Sequence, residues 1–162
     1  MSSDAVATSG SATAGGAPLP PALQEIVEDF QALTVPDRLQ LLLEFSRELP
    51  DLPSRYADHP ELLEPVPECQ SPIFLATEVD GGMPDSVVHL YFSAPAEAPT
   101  TRGFAGILRE GLDGLTADEV LAVPADLPER LALGEAVSLL RLRGMSGMLG
   151  RIKRQVRARL AA

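Results

Sequence analysis

The chain has 162 residues, 45% of them hydrophobic and 22% charged, with a net charge of −10. That is enough apolar material for one domain with its own core, and no run of about 18 apolar residues is available to cross a membrane as a helix. A single cysteine, Cys69, excludes an internal disulfide and a zinc cage of cysteine ligands. The charge is unevenly spread. All 23 acidic residues lie at or before Glu135, whereas Arg141, Arg143, Arg151, Lys153, Arg154, Arg157 and Arg159 supply seven of the 13 basic ones. The acidic body repels phosphates, so nucleic acid is not an expected partner. The first residues show neither a positive n-region nor a long apolar stretch, which makes a cytoplasmic protein the expectation.

Residues 1–20 are mostly Ala, Gly, Ser, Thr and Pro with little to bury, so the expected domain is 21–162 with an unordered tail before it. Leu23, Ile26, Val27, Phe30 and Leu33 recur at helical spacing. Thr34 then stands as a helix cap, with Pro36 in the first turn and Asp37 in the place of a capping-box glutamate. The helix it opens carries Leu39, Leu42, Leu43 and Leu49 and stops at Pro50. Prolines 50, 53, 60, 65 and 67 make the next stretch mostly loop, with room for a short edge strand over Leu62 to Val66. The period then changes to two: Ile73, Leu75, Thr77 and Val79 share a face, "DGGMPD" turns the chain, and Val88, Leu90 and Phe92 return. That pattern predicts a β-hairpin. Helices resume at Thr100, ending near Gly114; Thr116 and Glu119 form a second capping box, and Met145, Met148, Leu149, Ile152, Val156 and Leu160 mark a last amphipathic helix. Strands grouped between helices predict an α+β domain with a small antiparallel sheet.

Chemistry centres on Cys69. It stands in "PVPECQSPIFL", between Pro67 and Pro72, in a loop rather than in an apolar element where an inert cysteine usually hides. His59 and His89 lack metal-ligand spacing, so no metal is expected, although either remains open as a distant partner for the thiol. "GMSGMLG" places glycines at 144, 147 and 150 without the Gly-Lys-Ser/Thr ending of a phosphate loop, so it reads as a close helix contact.

Four segments in order, "LTVPDRLQLLLEFSRELPDLP", "VPECQSPIFLA", "TRGFAGIL" with "LTADEVLAV", and "LLRLRGMSGMLGRIKR", resemble the SufE family of sulfur-acceptor proteins over residues 21–160. The most specific match is Cys69, Gln70 and Ser71 ahead of an apolar strand; Arg102 with Gly103, and Arg141 with Gly144 and Met148, also fit. The resemblance implies the fold of iron–sulfur scaffold proteins. It also implies a job: to take persulfide sulfur from a SufS-type, pyridoxal-phosphate-dependent cysteine desulfurase onto Cys69, stimulate that enzyme, and pass the sulfur toward an iron–sulfur assembly scaffold, with no resident cofactor and no membrane. In that scheme Arg141 stabilises thiolate or perthiolate charge, with Arg102 as a second candidate. The chain departs from the family at Glu68, where glycine is usual, at "AVSLLR" (136–141), where a His, Pro and Ser are common, and at Phe74 in place of Trp. Glu68 stiffens the loop and sets a negative charge beside the thiol. Two other readings of the chain are an interaction module in which Cys69 is a relic, and a binder of anionic surfaces through its basic C-terminal helix.

Overall fold

The computed structural model describes residues 18–161. The expected tail falls on residues 1–17, outside the described residues, and on Pro18 to Pro20, where Leu19 already packs on the core. Helix α1 (Pro21–Ala32) buries Leu23, Ile26, Val27 and Phe30, the four inner positions of the expected stripe. Helix α2 (Val35–Glu48) starts after Thr34 as expected, but the Thr34 hydroxyl accepts no hydrogen bond, so the capping box with Asp37 does not form. Aspartate is one methylene shorter than the glutamate of a full box. Thr116 and Glu119 do close theirs: Glu119 N donates to Thr116 Oγ1 at 3.2 Å, and Thr116 N donates to Glu119 Oε1 at 3.1 Å.

A short α3 (Ser54–Ala57) is followed by the strands β1 (Glu64–Pro65), β2 (Phe74–Val79) and β3 (Val88–Ser93), which pair antiparallel in that order. Glu64 stands opposite Leu75, and Val79 opposite Val88, so the expected hairpin and the expected edge strand both exist. One sheet face, with Leu75, Thr77, Val88, Leu90 and Phe92, is buried; Tyr56, Leu63 and Ala76 form a small cluster on the other. Helix α4 (Pro99–Leu112) starts at an Ala98 cap rather than at Thr100. Pro99 takes the first helical position, where a missing N–H loses no bond. Then come α5 (Ala117–Ala122), α6 (Leu127–Arg130) and the long α7 (Leu139–Ala161). The fold is α+β, with the longer helices packed over one face of the small sheet and Tyr56 of α3 against the other.

Two glycines set how closely the helices pack. A Cβ on Gly103 would lie 2.5 Å from the Leu42 carbonyl oxygen, and one on Gly106 would lie 2.4 Å from that of Phe45. Helices α2 and α4 therefore meet backbone against backbone. This crossing buries Leu42 and Ser46 and leaves Leu39 36% exposed, so the apolar stripe of α2 is narrower than its leucines suggest.

Candidate functional site: the Cys69 loop

Strands β1 and β2 are the stem of a loop whose tip carries the thiol. Val66 N donates to Ile73 O at 2.9 Å, closing the stem. Pro67 to Cys69 then make one 3-10 turn, with Cys69 N bonded to Val66 O and Gln70 N to Pro67 O, each at 3.1 Å. Gln70 takes the left-handed conformation, φ 56°, which reverses the chain toward β2. A side chain other than glycine or asparagine is uncommon there.

The loop lies on the first turns of α7. A Cβ on Gly144 would stand 3.0 Å from Cys69 Sγ and 3.1 Å from its Cα; one on Gly147 would stand 2.9 Å from Glu68 Oε2. These glycines are the seat of the thiol loop, which gives "GMSGMLG" its physical meaning. Arg151 lies on the same helical stripe, at i+4 from Gly147 and i+7 from Gly144. Its Nη1 donates to Glu68 Oε2 at 2.8 Å. Its Nε, buried, sits 3.0 Å from Glu64 Oε2 on β1, close enough to pair although not aligned for a hydrogen bond. Glu64 is also held by Arg154 and by Gln155 Nε2 at 3.0 Å. Lys153 donates to the Val123 carbonyl. Arg151, Lys153 and Arg154 of the basic helix are thus paired within the domain.

Cys69 is half-buried beside a cavity of about 350 Å³ lined by Gln70, Ser71, Ser138, Leu140 and Arg141. Burial, with the Glu68 charge second, pushes the thiol pKa up to about 12, and Arg151 opposes the rise. At pH 7 a thiol with that pKa is ionised in about 1 molecule in 100,000, against about 1 in 100 at the reference value of 9.0. The thiol is therefore sheltered as it stands.

Of the residues singled out in the sequence, Glu68, Cys69, Gln70, Ser71, Arg141 and Gly144 come together here. Arg102 and Gly103 do not. Arg102 donates from Nε to Ser46 O at 2.8 Å, from Nη1 to Ala94 O at 2.6 Å and from Nη2 to Leu49 O at 3.1 Å, tying the end of α2 to the chain after β3. Arg102 is a structural clamp and lines a different cavity, and Gly103 serves the α2–α4 crossing. His89 pairs with Asp80 at 2.8 Å and His59 with Glu61 at 3.1 Å; neither lines the thiol cavity. Among the described residues, no group of three or more His, Cys, Asp or Glu could hold a metal ion. Arg151 and Glu64 are the site residues that sequence reasoning missed; the i, i+3, i+7 spacing of Gly144, Gly147 and Arg151 was the available signal.

Residues 24–156 match the family model described as "SufE: Fe-S metabolism associated domain". The chain belongs to the SufE family. The SufE domain runs from α1 into α7 and so contains the Cys69 loop, Arg141 and Arg151. An uncharacterised SufE-like protein of Mycobacterium tuberculosis is 57% identical over 141 residues, spanning 87% of this chain and 95% of its own. The chloroplastic and mitochondrial SufE-like protein 1 of Arabidopsis thaliana is 28% identical, over 81% of this chain and 33% of its own. The solution structure of a hypothetical protein from Thermus thermophilus superposes with a TM-score of 0.76 at 41% identity, covering 90% of this chain and all of that one. Membership associates this SufE domain with Fe–S metabolism.

Proposed function

We propose that the protein is a persulfide carrier, which accepts sulfur from a cysteine desulfurase onto Cys69, stimulates that enzyme, and passes the sulfur toward iron–sulfur cluster assembly. The observation that carries this reading is the placement of the sole thiol at the tip of a loop, over a cavity shared with Arg141. Exposed Leu139 and Leu140 stand at the start of α7, Leu140 on the cavity itself, and offer apolar surface for a docking protein.

The chemistry balances without an added oxidant. The Cys69 thiol loses its proton to solvent, and the thiolate attacks the outer sulfur of the desulfurase persulfide. A new sulfur–sulfur bond forms on Cys69, the old one breaks, and its electron pair leaves on the desulfurase thiolate. The Cys69 perthiolate is anionic, and Arg141 is the cation available in its cavity. A second cysteine nearby would attack the persulfide and release its sulfur; the chain has none.

The test is mass spectrometry after incubation with a SufS-type, pyridoxal-phosphate-dependent desulfurase and cysteine. The wild type is expected to gain one sulfur atom, lost again on thiol reduction. Cys69→Ser is expected to fold, gain no sulfur and fail to stimulate the enzyme. Equal stimulation by both proteins would sink the carrier reading and leave the interaction module in its place.

A further inference from the structure

Two carboxylates, Glu64 and Glu68, meet at the guanidinium of Arg151, a residue distant from both in sequence. Glu64 belongs to the strand before the thiol loop, Glu68 to the loop and Arg151 to the helix on which the loop rests. Glu68 occupies the position beside the thiol, and its side chain is laid over Gly147. Arg151 is 20% exposed, against 42% for Glu68, so the cation is the anchored partner and the loop carboxylate the one free to leave.

We propose that Arg151 is the positioning residue of this site: by bridging Glu64 on β1 and Glu68 on the loop it clasps Cys69 onto α7, and the thiol is presented only when that clasp opens. The proposal rests on the carrier reading of Cys69 but concerns the loop itself. A clasp of this kind shelters a thiol, or a persulfide, from reductants until a docking surface competes for Glu68 or Arg151. The charged groups around it are Glu64, Glu68, Arg151 and Arg154, with Arg141 across the cavity.

Two roles for Arg151 have opposite signs, which makes the proposal testable. A cation acting only through its field stabilises the thiolate, so its loss slows alkylation. A clasp suppresses loop opening, so its loss relieves burial, the largest influence on the thiol, and speeds alkylation. One partly exposed pair shifts a local opening equilibrium by up to about fivefold, and two pairs sharing one guanidinium by roughly tenfold.

The experiment compares Arg151→Gln, Glu68→Gln and the charge-keeping Arg151→Lys. Iodoacetamide alkylation at neutral pH and amide hydrogen exchange are measured on each. Expected for Arg151→Gln is alkylation faster by about three- to tenfold, with faster exchange at the Cys69 and Gln70 amides and no change at Leu90 or Phe92. Arg151→Lys, which keeps a cation beside Glu64 and Glu68, is expected to hold both rates closer to wild type than Arg151→Gln does. Slower alkylation with unchanged exchange overturns the clasp and leaves a purely electrostatic role. Should Arg151→Gln unfold, seen as loss of slow exchange in β3, Glu68→Gln decides: it leaves the Arg151 pairing with Glu64 intact, and unchanged exchange at Cys69 and Gln70 overturns the proposal. No desulfurase enters these measurements, so failure of the carrier reading and failure of the clasp are separate results.

Discussion

Gly144→Ala places a methyl group where the thiol now rests. The new Cβ would lie 3.0 Å from Cys69 Sγ and 3.1 Å from Cys69 Cα, closer than a relaxed contact. Something has to move, and the loop tip, which α7 supports from below, moves more easily than a long helix embedded in the core. Replacing glycine inside a helix recovers about 0.8–1 kcal/mol of propensity, which offsets part of the lost loop packing, so the melting temperature is expected to change little. Thiol reactivity is expected to change far more. Full release from burial would take the pKa from about 12 toward 9.0 and raise the thiolate population at pH 7 by about a thousandfold. A less basic thiolate is also a weaker nucleophile, with a Brønsted slope of about 0.4–0.5, so the net gain in alkylation rate is bounded at about thirty- to sixtyfold. A partial lift gives a fraction of that. The assay is the second-order rate constant with iodoacetamide across pH 6–10, with thermal unfolding as the control. A rate within about twofold of wild type at unchanged stability would refute the assignment of Gly144 as the seat of the thiol.

Gly103→Ala meets a main-chain carbonyl at 2.5 Å inside the α2–α4 crossing and is expected to destabilise the domain by about 1–3 kcal/mol; denaturant unfolding with no loss would mean the two helices separate without cost. Arg141→Ala leaves the nucleophile and its clasp in place and is expected to slow sulfur acceptance while stability holds, because the perthiolate loses the cation in its cavity; an unchanged transfer rate in single-turnover mass spectrometry would remove Arg141 from the site. The thiol pKa is higher folded than unfolded, so the stability it contributes is complete below about pH 9 and is lost as pH rises toward 12. The wild type is therefore expected to lose melting temperature relative to Cys69→Ser between pH 8.5 and 10.5, and a constant difference would contradict the burial argument.

Features that depend on near neighbours are legible in the chain alone. Leu23, Ile26, Val27 and Phe30 mark α1 because a helix repeats every 3.6 residues, and Val88, Leu90 and Phe92 mark β3 because a strand alternates. Thr116 and Glu119 find each other across three positions. Cys69 stood out because the flanking prolines keep it out of any apolar strand or long helix, and the resemblance joined Arg141 to it. What the sequence left undecided is which of several arginines and glycines serve the thiol. Arg102 was a second candidate beside Arg141; only the packing of α4 against α2 sends Arg102 to three carbonyl groups and away from the site. Glu68 and Arg151 are 83 residues apart, and their pairing exists because the β1–β2 stem lays the loop on α7 at the height of Gly144 and Gly147. Local periodicity determines an element and its buried face, but a contact between elements depends on where the whole chain places them, and that placement is set by the core they share.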